Sequence, residues 1–136
     1  MEQSYEIYNK NVLNDTVTLL KRWLENRNNN KTFADYLEEC GYMSVIIMDA
    51  GEIGRLLYDE IKGTDIKVIC FYDRNAEGIN NIDGIAVKPF SEVDQMPEAD
   101  IVLVSTIYNY QDILKMLVGI DPNIRSLYLR DAVYEF

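Results

Sequence analysis

The chain has 136 residues, of which 48% are apolar, and this is enough for one compact domain with a hydrophobic core. Its formal net charge of −10 repels the phosphates of nucleic acids and of anionic lipids, so we expect neither nucleic-acid binding nor membrane insertion. The apolar runs are shorter than the roughly 18 residues of a membrane-spanning helix, and the N-terminus lacks a basic stretch followed by an apolar one. These features predict a cytoplasmic protein.

Residues with catalytic or metal-binding chemistry are few. The sequence contains no histidine, and Cys40 and Cys70 form no C-x-x-C motif, which argues against a zinc site, a disulfide framework and a histidine-activated nucleophile. We interpret both cysteines as reduced, buried small residues. No pair of carboxylates is singled out by its spacing. We therefore assign no catalytic or metal-ligating residue.

Residues 1–43 are predicted to form an extension of two helices. Apolar residues recur at helical spacing over Tyr5–Asn26, which predicts an amphipathic helix. Its broad apolar face consists of Val12, Leu13, Val17, Leu19, Leu20, Trp23 and Leu24. A second, short helix is predicted to begin at Thr32, because Asp35 stands at the capping-box spacing, and Gly41 suits its end. The apolar face of the first helix either packs on the rest of the chain or binds a partner, which would be a second copy or a partner enzyme.

Residues 44–136 alternate between apolar, β-branched runs and helical stretches, which is typical of an α/β domain with a parallel sheet covered on both faces. Strands are predicted at Val45–Met48, Ile66–Tyr72, Ile85–Val87, Ile101–Ser105 and Leu127–Leu129, and helices around Ile53–Lys62, Ser91–Gln95 and Tyr110–Gly119. The segment DRNAEGINNIDG is too short and glycine-rich for a full helix. Right-handed crossovers and doubly wound connections predict three layers with a five-stranded, mainly parallel sheet of order 3-2-1-4-5.

A glycine-containing turn, MDAGEIG, follows the first predicted strand. Aligned with the dinucleotide fingerprint G-x-G-x-x-G, its three positions are Asp49, Gly51 and Gly54, so two of the three glycine roles remain. The free amides at the start of the next helix suit an anion, although the carboxylates at 49 and 52 oppose one. The candidate ligand contacts here are Gly51, Glu52, Ile53, Gly54 and Arg55. The alternative is that both glycines serve only the turn and the packing of the helix.

Asp73 ends the second predicted strand, 19 residues after Gly54, where an acidic residue commonly accepts a hydrogen bond from a ribose hydroxyl. The alternative for Asp73 is an ordinary turn residue at the end of a strand. Arg74 beside it is placed either to contact a phosphate or to pair with Asp73.

Polar residues also follow the fourth predicted strand. Ligands of open parallel sheets bind beyond the carboxyl ends of the strands, near the switch point between the first and fourth strands of this order. Ser105 and Thr106 are therefore candidate ligand contacts, and Tyr108 and Tyr110 are placed to stack on a base or a sugar ring. The alternative for Asn109 and Tyr110, which we prefer, is that they cap or pack the next helix.

The span from the first to the fourth strand resembles the small Rossmann-like modules of bacterial surface-carbohydrate and nucleotide-sugar biosynthesis proteins. Examples are the N-terminal domain of sugar O-acyltransferases and the C-terminal domain of sugar C-methyltransferases. The matching positions are Gly51 and Gly54, Asp73–Asn75, Gly84–Val87 and Pro97–Val104. The resemblance covers roughly the last two-thirds of the chain, and its motifs recur across many Rossmann-like families.

The resemblance implies a three-layer Rossmann-like α/β domain over residues 44–136 that contacts a nucleotide or nucleotide-sugar at the glycine turn and at Asp73. Candidate ligands are NAD(P) and nucleotide-sugars. The N-terminal helices resemble the lead-in of stand-alone or glycosyltransferase-linked members, which implies a glycosyltransferase-type enzyme as the partner of the first helix. The acyltransferase or methyltransferase domain that would carry the chemistry is absent from this sequence, so we expect a non-catalytic binding module. Two alternatives remain: an interaction or dimerisation scaffold with a vestigial pocket, and a small NAD(P)-dependent enzyme.

Overall fold

A computed structural model describes the backbone of residues 2–107 and 110–136, and the side chains of residues 10–107 and 110–136. It has helices and a six-stranded, mainly parallel sheet, which confirms the mixed α/β fold. Among the described residues, no helix combines the length and the apolar character that crossing a membrane requires.

The elements follow one another in the order helix, helix, and then strands alternating with helices. The helices are α1 (Glu2–Asn28), α2 (Phe33–Glu39), α3 (Glu52–Ile61), α4 (Ala76–Ile79), α5 (Tyr110–Ile120) and α6 (Leu129–Ala132), and a 3-10 helix spans Phe90–Gln95. The strands are β1 (Ser44–Met48), β2 (Lys67–Tyr72), β3 (Asn81–Ile82), β4 (Ile85–Lys88), β5 (Ile101–Val104) and β6 (Ser126–Tyr128). The connection from β2 to β3 contains only the four-residue α4, as its length and glycine content predict.

The order of the strands in the sheet is β3-β4-β2-β1-β5-β6, and every pair except β3 with β4 is parallel. The prediction of five strands is therefore wrong in its count, and the order of the whole sheet differs from the predicted one. The difference is the added edge strand β3, because the neighbouring strands β4-β2-β1-β5-β6 are the five runs identified in the sequence.

The added strand β3 belongs to a tight antiparallel hairpin with β4. Ile82 pairs with Ile85, and only Asp83 and Gly84 lie between them, with positive φ angles of 53° and 82°. Two-residue hairpin loops of this kind need positive φ at both positions, which aspartate tolerates and glycine adopts freely. The dipeptide Asp83–Gly84 is thus the feature of the sequence that indicates β3.

Side chains of the central strands alternate between two apolar clusters, one on each face of the sheet. In β1, Val45 and Ile47 pack with residues of α1, α2, α3 and α6, while Ile46 and Met48 pack with α5 and the 3-10 helix. Burial on both faces explains why the parallel strands are apolar along their whole length.

The second helix begins and ends as its sequence predicts. The backbone N–H of Asp35 donates a hydrogen bond to Thr32 Oγ1 over 3.2 Å, so Thr32 is the N-cap. Gly41 follows the helix with a φ of 82°, which an L side chain rarely adopts. Cys40, at the C-cap, is exposed, so the expectation that both cysteines are buried holds only for Cys70.

The first helix packs on the rest of the chain through one part of its apolar face. Leu19, Trp23 and Asn26 are buried, and the Trp23 ring meets Phe33 of α2 edge-on at 5.2 Å. Asn26 Nδ2 donates to the Val133 carbonyl over 2.7 Å. Four other apolar residues of the predicted face, Leu13, Val17, Leu20 and Leu24, are exposed, and Val12 is half-buried. The helix thus carries two adjacent apolar faces, of which the chain itself covers one.

Candidate functional site

Three polar residues directly follow three neighbouring parallel strands. Asp49 follows β1, Asp73 follows β2 and Ser105 follows β5. Because β1 lies between β2 and β5, these residues meet at the carboxyl edge of the sheet. Ligands of open α/β sheets bind in the crevice at this edge. The edge is therefore the first place to look for a site.

Asp49 adopts a backbone conformation that is unusual for an L residue, with a φ of 96°. Its carboxylate Oδ1 accepts a hydrogen bond from the Gly51 N–H over 2.8 Å. Burial raises the pKa of Asp49 from 3.8 to about 6; the Gly51 N–H opposes the shift, and hydrogen bonding to Asp73 and its negative charge add to it. The Asp49 carboxyl therefore binds a proton more readily than an exposed aspartate does.

Asp73 holds the glycine turn from the neighbouring strand end. Its Oδ2 accepts the Ala50 N–H over 2.8 Å, and its Oδ1 accepts the Asn75 N–H over 2.7 Å. The first two amides of the turn, those of Ala50 and Gly51, are thus satisfied by the carboxylates of Asp73 and Asp49. An incoming phosphate would have to compete with these internal acceptors.

Gly54 is required by the close approach of α3 to the end of β1. A Cβ at this position would lie 2.0 Å from the Asp49 carbonyl oxygen and 3.2 Å from Ser105 Oγ. Ser105 is buried, and its hydroxyl donates to the Met48 carbonyl over 2.9 Å. Gly54 and Ser105 therefore fix the packing of the helix beneath the turn, as the third glycine of the fingerprint does.

A cavity of about 140 Å³ opens at this edge and is lined by Asp49, Asp73, Arg74, Phe90, Thr106 and Ile113. The Arg74 guanidinium lies over the Phe90 ring, 5.9 Å from its centroid. Two carboxylates, one guanidinium, one hydroxyl and one aromatic ring thus surround the same space. Such a lining can accept hydrogen bonds from ligand hydroxyls and can place a flat group against Phe90.

The structure brings three of the predicted ligand contacts, Asp73, Arg74 and Thr106, to this cavity. The other predicted contacts do not line the cavity. They are Gly51, Glu52, Ile53, Gly54, Arg55 and Ser105. Arg55 is exposed, and its Nε donates back to the Ala50 carbonyl over 3.3 Å. Of the glycine turn, only Asp49 therefore lines the cavity.

Of the two tyrosines predicted to stack on a ligand after β5, the structure describes only Tyr110. Tyr110 stacks on Tyr128 with ring centroids 4.1 Å apart, in agreement with the packing alternative. Tyr108 and Asn109 lie outside the described residues.

Sequence reasoning missed two lining residues, Phe90 and Ile113, and treated Asp49 only as an obstacle to phosphate. Phe90 lies two residues after β4, and Asp73 lies directly after β2. Both residues therefore stand at the carboxyl end of a parallel strand. That shared position was the available signal. Ile113 gives no such signal, because an apolar residue on a helix is read as core.

A larger groove of about 700 Å³ lies at the opposite, amino edge of the sheet, beside Ser44, Asp100, Asp121 and Arg125. The Asp100 carboxylate there accepts the backbone N–H groups of Met43 and Ser44 over 2.8 and 3.1 Å. This explains Asp100 as a structural residue that orders the entry into β1. We favour the smaller cavity because its polar groups converge at the carboxyl edge.

Among the described residues, no group of three or more acidic or cysteine side chains is arranged to hold a metal ion. Compared with models of protein families and with curated proteins, the sequence matches none of them.

Proposed function

We propose that this chain is a non-catalytic Rossmann-like module that binds the sugar of a nucleotide or nucleotide-sugar at the carboxyl edge of its sheet. The observation that carries the proposal is the convergence of Asp73, Arg74 and Thr106 on one cavity. Asp73 and Arg74 follow β2 and Thr106 follows β5, so they come from two strand ends, and the sequence singles out each of them as a ligand contact.

The size of the cavity limits how much of the ligand enters it. A volume of about 140 Å³ corresponds to about five waters at roughly 30 Å³ each, which is close to one sugar ring. Pockets that enclose a whole drug-sized ligand are about 300 to 1,000 Å³. One sugar therefore occupies the cavity, and the rest of the nucleotide lies along the open edge.

The charges around the cavity favour hydroxyl groups over phosphates. Asp49 and Asp73 present acceptors for the two vicinal hydroxyls of a ribose or hexose, whereas they repel a phosphate at the same distance. Arg74 is the cation of the lining, and its exposed guanidinium is placed to meet a phosphate outside the cavity. This arrangement differs from pyrophosphate binding on the glycine turn.

The resemblance to modules of surface-carbohydrate biosynthesis supports a nucleotide-sugar as the ligand and a carbohydrate pathway as the setting. NAD(P) remains the other candidate, because Asp73 stands at the spacing of the ribose-binding acid. We propose that the protein holds such a ligand for a separate enzyme.

Two ligands that differ only in their ribose hydroxyls test the proposal. Thermal shift and calorimetry would compare adenosine with 2′,3′-dideoxyadenosine, alongside NAD, NADP, UDP-sugars and coenzyme A. A ligand present at about a hundred times its Kd stabilises the fold by about 2.7 kcal/mol, which a thermal shift detects readily. We expect at least one hydroxyl-bearing ligand to bind and the dideoxy compound not to bind.

Asp73→Asn keeps one acceptor oxygen, so only one of the Ala50 and Asn75 N–H groups stays paired, and it removes the charge that receives ligand hydroxyls. It should therefore weaken binding about tenfold or more. Asp94→Asn is the matched control, because Asp94 is exposed on the 3-10 helix and does not line the cavity. The proposal fails if no ligand binds at millimolar concentration, or if Asp73→Asn and the parent chain bind equally well.

A further inference from the structure

Helix α1 carries an exposed apolar stripe, formed by Leu13, Val17, Leu20 and Leu24. Their side chains are 63%, 57%, 37% and 61% exposed. Among the described residues, eight large apolar side chains are exposed, and these four share one face of one helix. Isolated apolar residues on a surface are ordinary, but a contiguous row of this kind marks an interaction site.

The body of the protein does not cover this stripe, because α1 is already held through its neighbouring face. Trp23 packs against Phe33, and its indole N–H donates to Glu60. Arg22 Nε donates to the Val133 carbonyl over 3.3 Å, and Asp15 pairs with Arg130 at 3.1 Å. Turning the helix to bury the stripe would break these contacts and expose Trp23.

The spacing of the stripe matches a helix as its partner. Steps of four, three and four residues are those of the a and d positions of a coiled-coil seam. From residue 13 to residue 24 the row extends about 16 Å along the helix, at 1.5 Å per residue, or about three turns. A partner helix of similar length could cover it with interdigitated side chains.

The charges beside the stripe are positive, although the chain as a whole carries −10. Within residues 10–28, Lys10 and Lys21 lie along one side of the stripe and Arg27 along the other, at 100° of rotation per residue, and all three are exposed. Asp15 is turned away toward Arg130, and Glu25 lies further round the helix, beyond Lys21. The stripe is therefore bordered by cations.

We propose that the stripe docks an amphipathic helix of another protein whose apolar row is flanked by aspartate and glutamate. Charge complementarity selects this occupant over a second copy of the chain. An antiparallel copy that places Leu13 opposite Leu24 also places Lys10 at the level of Arg27, and a parallel copy places Lys10 and Arg27 each at the level of its own counterpart. The acidic body of the protein disfavours an anionic membrane. The proposal does not depend on the nucleotide site.

Two synthetic helical peptides test the charge rule. Both carry leucines at the four-three-four spacing; one has glutamate and the other lysine at every position flanking the leucines. Fluorescence anisotropy with the full chain should give a Kd at least about tenfold lower for the glutamate peptide at low salt, and the ratio should fall as salt is added. Equal affinities, or no binding of either peptide, would overturn the proposal.

Leu20→Glu should abolish binding of the glutamate peptide, whereas Val118→Glu should leave it unchanged. Val118 is the matched control, because it is a 48% exposed apolar residue of α5 outside the stripe. Circular dichroism and urea unfolding check that both variants fold. Retained binding by Leu20→Glu would overturn the proposal.

The two other occupants give distinct results. If light scattering shows a dimer of the parent chain and a monomer of Leu20→Glu, the stripe binds a second copy. Binding to phosphatidylserine-containing vesicles that the same variant removes would assign it to a membrane. Either result replaces the proposed acidic helix.

Discussion

Asp49→Asn is expected to change how the stability of the protein depends on pH. Burial and the neighbouring Asp73 raise the pKa of Asp49 in the folded chain to about 6, from 3.8. Between these two values the folded state binds a proton that the unfolded state has lost. The free energy of unfolding therefore contains a contribution that is fully present below about pH 4 and disappears as the pH rises through about 6. Asparagine cannot titrate, so this contribution is absent from the variant.

The magnitude follows from the two pKa values. At about pH 5 the extra proton stabilises the folded state by RT ln(1 + 10), which is about 1.4 kcal/mol, and at about pH 8 it contributes almost nothing. Solvent reaches part of this carboxyl, and we therefore expect a change of about 1 kcal/mol. Asparagine keeps an acceptor for the Gly51 N–H and tolerates a positive φ as aspartate does, so the comparison isolates the charge.

The assay is urea unfolding of the parent chain and of Asp49→Asn from about pH 5 to about pH 8, followed by circular dichroism. The stability of the variant relative to the parent should rise by about 1 kcal/mol over this range. Asp94→Asn, which removes an exposed carboxylate, controls for the general effect of net charge. A difference between parent and variant that stays constant with pH, or an equal trend in the control, would show that Asp49 does not titrate as described.

Two further substitutions test the packing that positions the site and α1. Gly54→Ala places a Cβ 2.0 Å from the Asp49 carbonyl oxygen and should destabilise the fold by about 3 kcal/mol or more in urea unfolding. Gly119→Ala, in α5, is the control: no atom lies within 4 Å of its new Cβ, so it should be neutral or stabilise the fold by up to about 1 kcal/mol. Equal effects of the two alanines would contradict the close approach at the turn. Trp23→Ala should cost about 3 kcal/mol and loosen α1, and Leu24→Ala, one residue further and exposed, should change stability by less than about 0.5 kcal/mol, as hydrogen exchange and urea unfolding would check. A large loss for Leu24→Ala would mean that the stripe is covered by the chain itself.

The sequence by itself determined the alternation of strands and helices over residues 44–136. The central parallel strands are buried on both faces, so their apolar runs are continuous and easy to identify. Local chemistry also fixed the start of α2 at Thr32, because a capping hydroxyl acts on amides only three residues away. The edge strand β3 escaped the same reading, since two residues are too few to show any periodicity, and its signal lies in the Asp83–Gly84 turn.

Only the tertiary structure decided which face of α1 the chain covers. Leu13–Leu24 contains two apolar rows side by side, and the sequence treats them as one broad face. Phe33 of the next helix and the carbonyl of Val133, near the other end of the sequence, select the row with Trp23. A contact between distant segments leaves no trace in helical periodicity.

The site divides in the same way. The spacing between Gly54 and Asp73 is readable in the sequence, because the acidic residue of the fingerprint follows its glycines at a nearly constant distance within one strand–helix–strand unit. The hydrogen-bond partners of the Asp49 carboxyl cannot be read from the sequence, since they depend on how the ends of β1 and β2 meet in space. The sequence therefore determined which strand ends carry polar groups, and the fold decided that Asp49 and Asp73 hold the turn together beside a cavity of about 140 Å³.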